Sequence, residues 1–86
     1  MRTPRVLIID DEPGILETIR DILEIKGCEV STAENGVKGV ELAKKRHYDF
    51  IITDIVMPEM NGVEAYHQIK LISPSSEVIM LASTCI

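Results

Sequence analysis

Apolar residues recur in two rhythms along this chain. Short unbroken runs, Val6-Leu7-Ile8-Ile9, Phe50-Ile51-Ile52 and Val78-Ile79-Met80-Leu81, alternate with longer stretches in which apolar positions return every three or four residues. Unalternating runs suit strands covered on both faces of a parallel sheet, and the longer period marks amphipathic helices. Arg5 to Ile9 is therefore expected to be a strand stopped by Asp10-Asp11-Glu12, with Pro13 acceptable as the first residue of a helix. Ile15, Leu16, Ile19, Ile22 and Leu23 form the inward stripe of that helix, and Gly27 is its left-handed end. Cys28 to Ala33 alternates weakly, as an outer strand does. Asn35 then caps a second helix whose stripe is Val37, Val40 and Ala43. Gly36 and Gly39 weaken that helix by up to about 1 kcal/mol each relative to Ala.

The third run ends in Asp54. A loop punctuated by Pro58 and Asn61-Gly62 follows, then a helix that carries Val63, Tyr66 and Ile69 inward and stops near Ser73-Pro74. Ser75-Ser76 reads as loop, and Glu77 to Ala82 as a fourth, fully apolar strand. Strands alternating with helices pair in parallel through right-handed crossovers, which gives a three-layer α/β/α sandwich.

Composition narrows the picture. A chain of 86 residues is one domain with little stability in reserve. Fourteen acids against nine bases leave a net charge of −5, which argues against non-specific binding to nucleic acid or to an anionic membrane. The one basic block, Lys44-Lys45-Arg46, falls at the end of the second helix, where cations suit the dipole. Cys28 and Cys85 have no metal-ligand spacing and no nearby histidine partners, so a reduced, cytoplasmic setting fits best and both read as small hydrophobes. No membrane or targeting segment is apparent, because the first apolar run is only four residues long.

The acids carry the chemistry. Asp10-Asp11-Glu12 closes the first strand and Asp54 the third, so neighbouring strands would bring three or four carboxylates into one shallow pocket at the edge where open α/β folds bind ligands. Like charges packed together are costly without a cation, and an all-oxygen set without His or Cys favours Mg²⁺. Glu12 alone reads as a helix cap or dipole partner.

These residues resemble the receiver domain of two-component response regulators. The resemblance rests on Val6-Leu7-Ile8-Ile9-Asp10-Asp11-Glu12, on Asp49-Phe50-Ile51-Ile52-Thr53-Asp54-Ile55-Val56-Met57-Pro58-Glu59-Met60-Asn61-Gly62 and on Val78-Ile79-Met80-Leu81. The spacing between blocks is closest to nitrogen-regulator-type receivers. The resemblance implies a flavodoxin-like (CheY-like) sheet of order 2-1-3-4 over residues 1–86. It implies Asp54 as the phosphoacceptor, taking phosphate from a sensor histidine kinase, and Asp11 as the main carboxylate ligand of Mg²⁺. Asp10 would assist directly or through water, and the Val56 carbonyl would complete the set. Self-phosphorylation and self-dephosphorylation would be the chain's only catalysis, and an output domain, such as a DNA-binding one, would receive the signal. His47 and His67 match no active position.

Two departures stand against the pattern. The position that carries a Thr or Ser in such receivers is Ala82 here, with Ser83 and Thr84 as possible substitutes. The family also continues with a helix, a fifth strand ending in lysine and a last helix, none of which is in these residues. The resemblance therefore implies a C-terminally truncated receiver that phosphorylates poorly. Its fourth strand would be an edge open to a second copy, as a homo-oligomer or a segment-swapped dimer. Two other readings are a receiver-like interaction module that is not phosphorylated, which Ala82 favours, and an aspartate-nucleophile phosphatase using Asp10 and Glu12, which the Met57 to Gly62 loop disfavours.

Overall fold

The computed structural model describes residues 3–54 and 62–81. Seven elements alternate: β1 (Arg5–Ile9), α1 (Pro13–Ile25), β2 (Glu29–Ala33), α2 (Gly36–Lys45), β3 (Phe50–Asp54), α3 (Gly62–Ile72) and β4 (Glu77–Leu81). All strand pairs are parallel, as the alternation of strands and helices implied, and the order is β2-β1-β3-β4, as the resemblance implied.

Local chemistry sets the helix ends. Pro13 opens α1, where its missing N–H costs no helical bond, and the Glu12 carbonyl accepts from the Ile15 and Leu16 amides. Gly27, at φ +92°, closes the helix while its amide donates to the Glu24 carbonyl and the Cys28 amide to the Leu23 carbonyl. That pair of bonds reverses the chain into β2. Asn35 caps α2 through Oδ1, which accepts from the Lys38 amide at 2.8 Å. Lys44 and Lys45 lie in the last turn of α2, as expected of the basic block.

Alternation along β1 divides the core. Val6 and Ile8 face α1, where Leu16 is buried and Ile19, Leu23, Cys28, Val30 and Ile52 pack around them. Leu7 and Ile9 face the other way, into a cluster with Val40, Ala43, Tyr48, Ile51, Ala65 and Ile69 beneath α2 and α3. Each fully buried aliphatic side chain contributes about 1.5–3 kcal/mol.

Several expected core positions are exposed instead. Ile22, Val37 and Val63 are 49%, 39% and 48% exposed, and Tyr66 is half-buried. The helices press their small residues onto the sheet: Gly36, Gly39 and Ala43 on α2, and Ala65 on α3. A stripe read from large apolar residues alone is therefore rotated from the true one. Nor is β3 covered on both faces, because Phe50 is 42% exposed and Ile52 is half-buried. β4, read in the sequence as a fully apolar strand at an open edge, exposes Ile79 and Met80. α1 packs over β1 and β2, so the same face of β3 and β4 is left open by the described residues.

Gly39 is more than a weak point in α2. A Cβ there would collide with Ile9 Cδ1 and lie 2.7 Å from Ile9 Cγ1, a side chain that is itself buried. Gly39→Ala would gain up to about 1 kcal/mol of helix propensity and lose roughly 1–3 kcal/mol to overpacking. The expected net loss of about 1 kcal/mol lowers the melting temperature by roughly 4–8 °C. Gly14→Ala, whose Cβ would meet nothing within 4 Å, is expected to melt no lower than the parent. A Gly39→Ala protein melting above the parent would contradict the close helix–strand approach.

Candidate active site

Register brings the acids together. Ile9 pairs with Thr53 across β1 and β3, so the next residues, Asp10 just past β1 and Asp54 as the last residue of β3, stand side by side at the carboxyl edge of the sheet. Carboxylate oxygens of Asp10, Asp11 and Asp54 all lie within 4.8 Å of one another. Asp10 and Asp54 are buried, at 2% and 3% exposure, whereas Asp11 faces solvent.

Asp10 is held from two sides. Its amide donates to the Ala33 carbonyl at 3.1 Å, extending the β1–β2 ladder, and its Oδ1 accepts from the Glu12 amide at 2.9 Å. Burial pushes the Asp10 carboxyl above its ordinary value, the charges of Asp54 and Asp11 push it further, and the Glu12 N–H opposes them. Glu12 occupies the cap position of α1 but makes no side-chain cap bond, so the capping role expected of it is not seen. Asp10 organises that turn instead.

Thr53 was not singled out in the sequence. It is fully buried, and its Oγ1 donates to the Asp54 carbonyl at 3.1 Å, tying down the peptide that leaves the site. The available signal was a hydroxyl inside an otherwise aliphatic run. Val56 lies outside the described residues, as do Ala82, Ser83, Thr84 and Cys85, and so does the loop with Pro58 and Asn61. The histidines stand apart from the carboxylates. His47 Nδ1 lies 3.2 Å from Ser73 Oγ, and the His67 ring meets Tyr66 edge-on with centroids 5.7 Å apart. Cys28 is a half-buried free thiol.

The donor set is all carboxylate oxygen, part buried and part open to solvent. Clustered carboxylates of this kind fit a hard divalent cation such as Mg²⁺, which takes one or two carboxylates and keeps several waters.

Residues 6–84 match the family of the response regulator receiver domain. The chain belongs to that family. Among relatives, the chemotaxis protein CheY of Bacillus subtilis is 41% identical over 80 residues, covering 92% of this chain and 67% of the relative. A response regulator receiver protein of Anaeromyxobacter sp. is 37% identical over 79 residues, 92% of this chain and 33% of the relative. This receiver thus spans between one third and two thirds of those relatives' lengths. A chain from the crystal structure of histidine kinase ThkA in complex with response regulator protein TrrA superposes with a TM-score of 0.88 at 33% identity. That match covers 98% of this chain and 72% of the other. No helix among the described residues of this receiver is long and apolar enough to cross a membrane.

Proposed function

We propose that this receiver accepts a phosphoryl group on Asp54 from a phosphohistidine of a sensor kinase and passes the change to an output domain of the parent protein. The observation that carries the proposal is the buried Asp54 carboxylate at the end of β3, within 4.8 Å of Asp10 and Asp11. A family that includes a chain solved with a histidine kinase supports the kinase as donor.

In this reading an Asp54 oxygen attacks phosphorus as the phosphorus–nitrogen bond of the donor breaks. The imidazole takes the bonding electron pair and is reprotonated, leaving an acyl phosphate on Asp54. Asp11, Asp10 and Asp54 would hold Mg²⁺, with the Val56 carbonyl added as the resemblance implies, and the ion when bound would supply positive charge to neutralise the phosphoryl oxygens. Burial of Asp10 and Asp54 fixes both side chains before the donor arrives, so little ordering remains to be done in the transition state. Ala82 brings no hydroxyl to a bound phosphoryl group, and Ser83 or Thr84 supplies one if the backbone brings it close. A closer kinship with nitrogen-regulator-type receivers and a cytoplasmic setting belong to the same proposal.

Incubation with acetyl phosphate and Mg²⁺, followed by intact-mass measurement, is expected to show one added phosphoryl group on a minor share of the molecules, abolished by Asp54→Asn; complete, stable labelling would contradict the poor acceptance expected with Ala82 in place of a hydroxyl residue. An unmodified mass under saturating donor, with the fold intact, would favour the second reading, an interaction module that is not phosphorylated.

The open side of β4 is also read as a pairing surface. Ile79 and Met80 are exposed there, and within the described sheet β4 has a partner only on the β3 side. Light scattering is expected to show concentration-dependent self-association, and a well-folded monomer at all concentrations would rule this out.

A further inference from the structure

Opposite the carboxylates, at the amino edge of the sheet, three polar side chains link the α2–β3 and α3–β4 connections. Ser76 Oγ lies 2.6 Å from the Tyr48 carbonyl oxygen, Ser73 Oγ lies 2.7 Å from Ser76 Oγ, and His47 Nδ1 lies 3.2 Å from Ser73 Oγ. Ser76 and Ser73 are buried, at 1% and 7% exposure, and no fully buried side-chain polar atom among the described residues lacks a partner.

Proton counting gives this chain a direction. A carbonyl has no proton to give, so the Ser76 hydroxyl donates to Tyr48. A hydroxyl has only one proton, so the contact between the serines requires Ser73 to donate to Ser76. The Ser73 proton is then spent, and its contact with His47 requires a proton on Nδ1. We propose that His47 is locked with its proton on Nδ1, and that this one-way chain is the clasp fixing the α3–β4 connection to the entry of β3.

The groups around it agree. His47 Nε2 lies 4.0 Å from Asp49 Oδ1, and Asp49 Oδ2 accepts from the Arg5 amide at 2.8 Å. On the other side the Lys70 ammonium donates to the Ser76 carbonyl, and the Glu77 amide donates to the Asp49 carbonyl. A proton added at Nε2 faces Asp49 and leaves the bond to Ser73 in place. The chain therefore survives in both the neutral and the cationic ring and is broken only by the neutral Nε2–H tautomer. The clasp joins the connection before β4 to the segment that starts β3, and Asp49 extends the tie to the start of β1.

Imidazole ¹⁵N spectra of the full chain, at a pH where the ring is neutral, test the assignment. His47 is expected to show a protonated Nδ1 and a bare Nε2, and a predominant Nε2–H form or an even mixture would overturn it. Ser76→Ala returns the Ser73 proton for donation to Nδ1, so the Nε2–H tautomer is expected to appear. An unchanged tautomer in that variant would show that the chain does not set it. If Ser76→Ala does not fold, two histidine replacements decide. His47→Asn places an amide donor near the Nδ1 position and is expected to keep the hydrogen-exchange protection of the Ser76 amide. His47→Gln, which places it near Nε2, is expected to lose roughly fivefold to tenfold, the worth of one neutral hydrogen bond. Equal protection in the two variants would overturn the proposal.

Discussion

Asp11→Asn is expected to slow formation of the acyl phosphate on Asp54 by about 10²–10³-fold, the usual loss when one group that stabilises transition-state charge is removed from an active site. Asp11 is the exposed member of the cluster, so its substitution leaves no cavity and no unpaired buried group. The loss should therefore appear in the rate of acetyl phosphate labelling at fixed Mg²⁺, with the melting temperature of the metal-free protein unchanged or raised. A labelling rate within a few-fold of the parent would remove Asp11 from the proposed set of Mg²⁺ ligands.

Without Mg²⁺, Asp10→Asn is expected to unfold at a higher temperature than the parent at neutral pH. Burial and the charges of Asp54 and Asp11 make the folded Asp10 carboxyl hold its proton more tightly than the unfolded chain does. At pH below the ordinary carboxylate value both states are protonated and no stability is lost. As pH rises, the unfolded chain ionises first, so folding stability falls until the folded carboxyl has ionised as well. Asn removes that loss and keeps an oxygen able to accept from the Glu12 amide.

Mg²⁺ should reverse the ranking. An ion bound only by the folded state, at free concentration about a hundredfold above its Kd, stabilises by about 2.7 kcal/mol. For a domain of this size that raises the melting temperature by roughly 10–20 °C. The parent should gain this increment and Asp10→Asn much less of it. Melting curves in chelator and in Mg²⁺ check both halves, and equal gains in the two proteins would show that Asp10 takes no part in holding the ion.

The backbone plan was readable because its signals are local. Unbroken aliphatic runs ending in acids, Pro13 at a helix start, Asn35 as a cap and Gly27 as a left-handed end each specify their own element, and parallel pairing follows from the alternation of strands and helices. Helix rotation was less readable. Val37 and Val63 look like core in a periodic count, yet Gly39 and Ala65 take inward places, and at Gly39 α2 comes close enough to Ile9 to exclude a larger side chain. Burial of β3 was overestimated for a related reason: strand composition does not reveal which strands a helix covers, and Phe50 is exposed.

At the carboxylate cluster, Asp10, Asp11 and Asp54 were evident from their position after strands, and β1–β3 adjacency turned that position into proximity. Thr53, Ser73 and Ser76 were not evident. A hydroxyl in an apolar run or in a short loop carries no periodic signal, and its importance comes only from which carbonyl or ring the fold brings within reach.

The position of the phosphoryl group tests the central claim most directly. After incubation with acetyl phosphate and Mg²⁺, borohydride reduces an acyl phosphate to the corresponding alcohol, and peptide sequencing by mass spectrometry locates the reduced residue. The reduced residue is expected at position 54 alone, and labelling at Asp10, at Asp11 or at no aspartate would contradict the assignment of Asp54 as phosphoacceptor.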